Sequence, residues 1–318
     1  MSRKSDAEND RLDDAARAGW LYYIAGNTQD EIAKKLGVSR QTAQRLVSLA
    51  VSEKLIKVRL DHPIGRCIEQ ADRLRQAYGL QMCEVVPSDP GSPSETLGVA
   101  EAAAAELECY LVSQHPVICA MGTGRMLRAV AEQVSPMDCP QHKMISLVGN
   151  IAPDGSASLF DVVSRIGDRV KAPHYPMPLP VIATTVHEKT LLLGQKTLRN
   201  VLELARQADV TFVGIGTVDD QAALLRDGFV RQDEMRALVR AGAVGEIIGW
   251  AFNHEGQLID GLTNDRVLSV PMEQPAMKKV IGVAMAIPRF RAIKGAMRGR
   301  LINGLITNET MAGLLLDT

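Results

Sequence analysis

The stretch that decides the fold of the amino-terminal part covers residues 28–50, with the sequence TQDEIAKKLGVSRQTAQRLVSLA. Apolar residues at helical spacing in its first half predict a short helix, and Thr28 with Glu31 forms a capping box at its start. Gly37 is typical of a helix end, where a positive φ costs glycine little. Ser39 is suited to cap a second helix. The stretch therefore predicts two short helices joined by a tight turn.

The second of these helices leaves a polar and cationic face exposed. Arginine pairs with guanine and glutamine with adenine in the major groove, and hydroxyls at a helix start contact phosphate or base edges. Residues 39–59 contain five Lys and Arg and one Glu, the local charge that phosphate contacts require. We interpret the pair as a DNA-binding helix-turn-helix; an αα-hairpin with a solvated polar face is the alternative. The predicted DNA contacts are Thr28, Ser39, Arg40, Gln41, Thr42, Gln44 and Arg45.

Composition and charge limit the class of protein. The 318 residues, 46% of them hydrophobic, suffice for one small and one larger domain. The net charge of −1 is unevenly spread, since residues 1–60 hold 11 Lys and Arg against 8 Asp and Glu. Five cysteines without CxxC spacing favour buried thiols in a reducing cytosol. We find no signal peptide and no apolar run near the ~18 residues of a membrane span, so we expect a cytoplasmic protein.

The chain before the helix-turn-helix is expected to contribute one more helix. Residues 1–10 are polar and charged, and we expect disorder there. Residues 12–25 have helical periodicity, and their apolar stripe is predicted to pack behind the other two helices, with base stacking by its aromatic residues as the alternative. The stripe consists of Leu12, Ala16, Trp20, Tyr23 and Ile24.

The chain after the helix-turn-helix changes character. The alternating run 56–60 is typical of a strand that would form a small wing, and Pro63 with Gly65 marks a linker. Beyond it, short apolar runs alternate with helical stretches, which predicts a parallel sheet covered on both faces. We predict an α/β fold with an amino-terminal helix-turn-helix domain, residues 1–60, and a doubly wound, mostly parallel α/β effector domain, residues 61–318. Its predicted strands are 83–86, 117–120, 144–148, 181–183, 210–215, 247–252, 280–286 and 304–306.

Parallel sheets of this kind bind ligands at the carboxyl ends of their strands, near a topological switch point. The sharpest candidate is the glycine turn Gly122-Thr123-Gly124-Arg125, which lies between a predicted strand and a helix. Its backbone amides, the helix amino terminus and two polar side chains would hold a phosphate or a polyhydroxy chain. A purely structural strand-to-helix turn is the alternative.

Other predicted strand ends add polar groups, although each is also compatible with an ordinary turn. Glu246 is a candidate to accept hydrogen bonds from two ligand hydroxyls, with a structural ion pair as the alternative. Arg289 is a candidate to bind a phosphate with its guanidinium fork. The remaining candidates are Gly149, Asn150, Thr184 and Gly216.

We predict no catalytic residues, no metal site and no cofactor. The six histidines lack metal-ligand spacing, and Gly-x-Ser-x-Gly is absent from the sequence. A dinucleotide-binding Gly-x-Gly-x-x-Gly is also missing after the first predicted strand. The paired carboxylates Asp219 and Asp220 are better explained as a helix cap than as an acid/base pair.

Seven blocks of sequence are spread over essentially the whole chain: TQDEIAKKLGVSRQTAQRLV, MGTGR, SLVGN, MPLPVIATT, VGIGT, GAVGEIIGWAFNHEG and IKGAMRGRLINGLITNETMAGLLL. In their order and spacing they resemble the SorC/DeoR-type sugar-responsive transcriptional regulators. The resemblance implies an effector domain akin to the sugar-phosphate isomerase and glucosamine-phosphate deaminase fold, and homodimers or homotetramers on operator DNA. It also implies a sugar, sugar phosphate or polyol as inducer.

Carried over by residue, the resemblance places 122–125 in the family's phosphate or sugar loop and Glu246 where an acidic residue contacts sugar hydroxyls. Arg289 stands where many members have Lys in an Ala-Gly-Gly-x-x-Lys pattern, and both glycines of that pattern are replaced here. Arginine forms no Schiff base with an aldehyde, which argues against a covalently bound aldose phosphate as the effector. Because some members of the family serve sugar-alcohol operons, the resemblance favours a polyol or its phosphate. We expect a regulator of a carbohydrate or polyol catabolic operon. A sugar-phosphate isomerase or deaminase with an appended helical module is the alternative, based on fold analogy alone.

Overall fold

Three helices form the described part of the amino-terminal unit, Met1–His62: α1 (Ser2–Tyr23), α2 (Gln29–Leu36) and α3 (Arg40–Ser52). The computed structural model describes residues 2–53, 55–56, 64–89, 96–152, 154–156 and 161–317. The predicted wing falls mainly on residues 57–60 and the linker mainly on 61–63, which lie outside the described residues. Helix α1 begins ten residues before the predicted start, so residues 2–10, for which we expected disorder, are helical instead.

The caps of α2 and α3 are those that the sequence predicts. The Thr28 hydroxyl accepts a hydrogen bond from the Glu31 amide, and the Glu31 carboxylate accepts one from the Thr28 amide at 2.8 Å. Gly37 ends α2 with a φ of 66°, and the Ser39 hydroxyl caps α3 by accepting from the Thr42 amide at 3.1 Å. The core between the helices consists of Ala18, Ile32, Ala33, Ala43 and Val47.

Helix α1 packs with a different face from the predicted one. Its buried side is made of small residues, and a Cβ on Gly19 would lie only 2.7 Å from the Cβ of Ala50, so the close approach of α3 requires glycine there. The larger residues of the predicted core stripe are instead exposed, since Trp20 is 54% and Ile24 68% accessible to solvent, while Leu12 and Ala16 are half-buried. Periodicity identified the helix, but α1 has two apolar faces, and the one with small residues packs best against a neighbouring helix.

Ten strands occur in the described part of the larger unit, Pro63–Thr318. Seven of them form one parallel sheet in the order β1-β10-β9-β5-β2-β3-β4, and the other three form a small antiparallel sheet in the order β6-β7-β8. The mostly parallel sheet is the predicted one. In chain order the strands are β1 (Met82–Val86), β2 (Ile118–Met121), β3 (Lys143–Gly149), β4 (His174–Met177), β5 (Val210–Gly214), β6 (Gly216–Thr217), β7 (Ala243–Ile247), β8 (Trp250–Asn253), β9 (Lys279–Val283) and β10 (Gly304–Asn308).

Helices cover both faces of the seven-stranded sheet, which makes it doubly wound as predicted. Helices α4, α9, α12 and α13 bury their apolar residues on one face, and α5, α6 and α7 bury theirs on the other. Among the described residues, no helix combines the length and the apolarity needed to cross a membrane. The helices of this unit are α4 (Gly65–Tyr78), α5 (Thr96–Leu111), α6 (Arg125–Gln133), α7 (Val163–Val170), α8 (Val186–Leu193), α9 (Lys196–Arg206), α10 (Ala223–Arg226), α11 (Gln232–Arg240), α12 (Phe290–Arg298) and α13 (Glu309–Leu316).

Strands β2 and β5 mark the switch point of this sheet. They are hydrogen-bonded neighbours, but the chain continues from β2 to β3 on one side and from β5 to β9 on the other. Connections that diverge in this way leave a crevice at the carboxyl ends of the two strands, where ligands of such folds bind. The glycine turn 122–125 follows β2 and Gly216 follows β5, so both predicted elements lie at this crevice.

Two predicted strands are wrong. Residues 181–183 make only an isolated bridge between Ile182 and Val267, and the sheet edge is taken by β4. Strand β4 was not predicted because it contains Pro176, which is tolerated only at an edge. The predicted strand 247–252 is the antiparallel hairpin of β7 and β8, with Ile248 at a φ of 46° and Gly249 at 90° in the turn. A β-branched residue rarely adopts this conformation, so nothing in the sequence indicates the turn.

The core of the amino-terminal unit yields a stability prediction. Ile32 is fully buried, so Ile32→Ala is expected to lower the free energy of unfolding by about 2–5 kcal/mol, and Ile32→Val by about 0.5–1.5 kcal/mol. Because a unit of this size has little stability to lose, the alanine variant should lose helical circular dichroism early in a thermal melt, while the larger unit melts as before. Identical melting curves for the wild type and both variants would contradict the core assignment.

Candidate DNA-binding and effector sites

The amino-terminal half of α3 presents one polar surface to solvent. Ala43 and Val47 hold the opposite side of the helix in the core. Side chains that emerge from the first turns of such a helix are those that reach base edges in the major groove. The structure brings together on this surface the exposed side chains of Arg40, Gln41, Thr42, Gln44 and Arg45.

The other predicted DNA contacts, Thr28 and Ser39, already serve as helix caps through their hydroxyls. Their backbone positions at two helix starts also suit phosphate contact. The Arg40 Nε lies 3.5 Å from Asp30 Oδ1, with both side chains more than half exposed. Ion pairs this exposed contribute about 0–1 kcal/mol, so Arg40 can exchange its partner for a phosphate at little cost.

The glycine turn after β2 is held by the sheet at one end and opens α6 at the other. The Gly122 amide donates to the Phe212 carbonyl at 2.8 Å, so it belongs to the β2–β5 pairing and is not offered to a ligand. A Cβ on Gly122 would touch Ile248 and Leu127 at 3.3 Å. Gly124 has a φ of 109° and directly precedes α6. The first-turn amides of α6 have no acceptor within the helix, and helix starts of this kind are where anions bind in other proteins.

Arg125 is tied to the far side of the crevice. Its guanidinium donates to both carboxylate oxygens of Asp227, at 2.8 and 3.3 Å. This bidentate pair fixes the start of α6 against the end of α10. Asp227 was not predicted, because sequence spacing holds no signal for a partner 102 residues away.

Glu246 lies in β7, directly opposite Gly216 of β6. Its Oε2 accepts a hydrogen bond from the Gly249 amide at 2.8 Å, and a Cβ on Gly216 would overlap its carboxylate. Burial raises the pKa of the Glu246 carboxyl, and the Gly249 hydrogen bond and the charge of Arg289 oppose this shift only in part. Glycine is therefore required at position 216, because any side chain there would displace the desolvated Glu246 carboxylate.

Arg289 ends the 3₁₀ turn Ile287–Arg289, which follows β9. Burial lowers the pKa of its guanidinium, and the positive charges of Arg226 and Arg125 act in the same direction. Glu246 and Asp219 oppose the shift. Arg226 and Arg125 thus lie close enough to Arg289 to disfavour its positive charge, an arrangement that an anion beside Arg289 would stabilise. Arg226, on the short helix α10, was not predicted.

The remaining predicted residues lie at two further places. Gly149 ends β3, where any Cβ would overlap the backbone of Leu179, so no side chain fits. The next residue, Asn150, has a buried Oδ1 without a hydrogen-bond partner among the described residues, so its capacity to accept a hydrogen bond is unused. Thr184 is exposed before α8, and its amide donates to Glu188 at 2.6 Å. No described contact joins Thr184 to Glu246 or Arg289.

A separate apolar cavity of about 100 Å³ lies beside this site. None of the ten predicted effector residues lines it, but Ile248, which touches Gly122, forms part of its wall. The cavity is therefore distinct from the crevice, and Ile248 lies between the two. Within the part of the chain that the structure describes, no group of three His, Cys, Asp or Glu side chains could hold a metal ion.

Known proteins resemble this chain over nearly its whole length. Residues 62–317 match the family model described as "Putative sugar-binding domain". The chain is 34% identical over 304 residues to the erythritol catabolism regulatory protein EryD of Brucella abortus, covering 95% of this chain and 96% of that protein. It is 30% identical over 307 residues to the transcriptional regulator LsrR of Klebsiella pneumoniae, covering 95% and 92%. The crystal structure of the full-length sorbitol operon regulator SorC from Klebsiella pneumoniae has the same fold, with a TM-score of 0.73, 24% identity and coverage of 95% and 97%.

A helical amino-terminal unit together with a sugar-binding α/β unit defines a class of transcriptional regulators. This chain belongs to the SorC/DeoR-type family of sugar-binding transcriptional regulators.

The raised pKa of Glu246 leads to a prediction for stability. A carboxyl whose pKa is raised on folding destabilises the folded state when ionised, so its cost is absent well below pH 4.5 and grows as the pH rises towards the folded value. Glu246→Gln keeps an acceptor for the Gly249 amide and carries no charge. We expect this variant to melt at a higher temperature than the wild type at pH 7, with the difference lost at low pH.

Glu273→Gln, at an exposed carboxylate, is the matched control and should melt like the wild type at both pH values. A Glu246→Gln variant that is less stable than the wild type at pH 7 would show that the charge is stabilising, which is the opposite of what burial of this carboxyl implies.

Proposed function

We propose that this protein represses or activates a carbohydrate or polyol catabolic operon, and that a sugar, polyol or phosphorylated derivative in the larger unit controls its affinity for operator DNA. One observation carries the proposal. The crevice between β2 and β5 combines a desolvated carboxylate, Glu246, with guanidinium groups and a helix amino terminus, and the same chain carries an exposed cationic helix, α3. The first set suits a hydroxylated anion and the second suits a DNA groove.

For the DNA-binding domain, residues 1–60, we assign base contacts to the outward side chains of α3. Arg40 and Arg45 have the geometry for guanine, and Gln41 and Gln44 have it for adenine. Phosphate contacts fall to the helix starts, through Thr28, Ser39 and Thr42.

For the effector domain, residues 61–318, we assign the contacts by charge. The Glu246 carboxylate would accept hydrogen bonds from adjacent ligand hydroxyls, and Asn150 Oδ1 would accept another. Arg289 and the start of α6, residues 122–125, would bind a phosphate. Gly149, Thr184 and Gly216 would shape the rim. Because arginine forms no Schiff base, the effector would bind without a covalent bond. The erythritol catabolism regulator among the relatives supports a polyol or its phosphate.

The operator and the effector are the partners of a homodimer or homotetramer that works in the cytoplasm, where its DNA lies. We propose no enzymatic activity. The relatives are named as transcriptional regulators, and the charged groups of the crevice do not form an acid/base pair with an evident task. No observation specifically favours a sugar-phosphate isomerase or deaminase.

The DNA-binding assignment is tested by Arg45→Ala. We expect this variant to lose roughly 10- to 100-fold in affinity for its own upstream promoter fragment, as removal of a bidentate base contact costs about 1–3 kcal/mol. In a plot of the logarithm of the DNA-binding constant against the logarithm of the salt concentration, each lost phosphate contact would also make the slope less negative by about 0.9. Gel shifts over a range of salt concentrations measure both. Arg236→Ala, at an exposed arginine of the larger unit, is the control; unchanged affinity in Arg45→Ala would refute the assignment.

The effector site is tested by a thermal-shift screen of polyols, sugars and their phosphates. A ligand at ~100 times its dissociation constant should add about 2.7 kcal/mol of stability. Arg289→Ala is expected to weaken a phosphorylated hit by roughly 10- to 100-fold, the loss of a charge-assisted hydrogen bond of about 1.5–3 kcal/mol, and to affect the unphosphorylated polyol much less. Equal weakening of both ligands would place the phosphate elsewhere.

A further inference from the structure

An irregular segment, residues 270–278, covers the apolar cavity on the face of the large sheet against which α9 and α12 pack. The cavity of about 100 Å³ lies between this segment, the end of α9 and residues of β5, β7 and β9. The segment is hydrogen-bonded to its surroundings near both ends. The Val270 amide donates to the Leu147 carbonyl at 2.9 Å. The Ala276 amide donates to the Arg300 carbonyl at 2.8 Å, so the fold holds the cover of the cavity in place.

The inner wall of the cavity fits a small saturated group. Apart from the half-buried Thr211 and three charged residues, the lining is apolar. An apolar cavity of about 150 Å³ binds benzene, which is about 25 Å³ for each carbon, so this cavity takes about four carbons. The side chains that form most of this wall are Leu147, Val213, Ile247, Ile248, Val270 and Leu301.

The mouth of the cavity carries charges of both signs. Arg206, Glu273 and Lys278 line the cavity and are exposed to solvent, so their charged groups lie at its rim. The Lys278 ammonium donates to the Arg206 carbonyl at 2.8 Å and keeps two further N–H groups. The Glu273 carboxylate has no hydrogen bond or ion pair with a residue that the structure describes. Two cations and one carboxylate therefore surround the opening of a four-carbon pocket.

This combination is complementary to a zwitterion with an aliphatic side chain. A ligand carboxylate would pair with Arg206 and Lys278, and a ligand ammonium would pair with Glu273, both through charge-assisted hydrogen bonds. A sugar or polyol is a poor fit, because the inner wall offers its hydroxyls one polar partner, Thr211, and a buried hydroxyl without a partner is costly. Leucine and isoleucine have side chains of four carbons, the size that the cavity takes.

We propose that this cavity binds an aliphatic α-amino acid of the size of leucine as a second ligand of the protein. The side chain lies in the cavity, the carboxylate at Arg206 and Lys278, and the ammonium at Glu273. The site is separate from the effector crevice, since Ile248 stands between them. The inference goes beyond the proposed function and does not depend on it, because neither the effector nor DNA takes part.

The ligand class is tested by calorimetric titration of the full chain with leucine, alanine and isocaproate, which is leucine without its ammonium group. We expect saturable binding of leucine. Alanine should bind roughly 50-fold more weakly, since it lacks three buried carbons that each contribute about fourfold. Isocaproate should bind roughly 10- to 100-fold more weakly, as one charge-assisted hydrogen bond is lost. Absence of leucine binding would overturn the proposal, and so would equal binding of leucine and either of the other two ligands.

The role of Glu273 is tested by Glu273→Gln, which should melt like the wild type when no ligand is added because the side chain is exposed. We expect it to weaken leucine roughly 10- to 100-fold and to leave isocaproate no weaker, since isocaproate lacks the group that Glu273 binds. Glu69→Gln, at an exposed carboxylate of α4, is the matched control and should bind leucine like the wild type. Unchanged leucine binding in Glu273→Gln, or equal weakening of both ligands, would overturn the assignment.

The position of the ligand is tested by Val280→Phe, which adds bulk at a half-buried residue of the cavity wall. Leucine binding should fall at least about tenfold as the space is filled. Leucine binding that survives in this variant, or competition between leucine and polyols, would place leucine elsewhere and overturn the proposal. If Val280→Phe does not fold, Glu273→Gln decides. If leucine binds as expected while no polyol and no promoter DNA binds, the proposed function fails and this site stands.

Discussion

The site of the larger unit depends on one feature of the sheet: after the neighbouring strands β2 and β5, the chain continues in opposite directions. The two strands pair with each other, yet one leads to β3 and the other towards β9, so no connection crosses their carboxyl ends. The crevice left there receives the glycine turn after β2 and the short strand after β5. The hairpin of β7 and β8 then places Glu246 on Gly216, and the turn after β9 adds Arg289. Residues far apart in sequence meet because the sheet topology leaves only this place for them.

The residues at this crevice lower the stability of the folded protein in three ways. The Glu246 carboxyl is desolvated, and the guanidinium group of Arg289 is partly buried near the positive charges of Arg226 and Arg125. Ile248, at the tip of the same hairpin, has a φ of 46° that costs a β-branched residue on the order of 1–3 kcal/mol. Backbone strain and buried charge of this kind are concentrated at functional sites. Ile248 lies close to Gly122 on one side and lines the apolar cavity on the other, so the hairpin tip connects the proposed effector site with that cavity.

Local rules in the sequence were sufficient for the helix-turn-helix and for most of the sheet. Caps and the αL glycine act within four residues, so Thr28, Gly37 and Ser39 are readable without the fold. The sequence does not show which of two similar helix faces packs, or which residues far apart in the chain come into contact. Helix α1 has two apolar faces, and sequence periodicity favoured the larger side chains although the smaller ones pack. The hairpin was missed because Ile248 stands where a turn residue is expected. Asp227 and Arg226 were missed because only the folded sheet brings α10 to α6.

The central claim is that filling the crevice changes the affinity of α3 for DNA. A ligand shifts such an equilibrium only by as much as it prefers one state over the other, and the coupling is reciprocal. The most direct test titrates the effector found by thermal shift against the protein, by calorimetry, with and without saturating promoter DNA. We predict that DNA changes the effector affinity by the same factor as the effector changes the DNA affinity, typically about 5- to 150-fold. Identical effector affinities with and without bound DNA would contradict the claim.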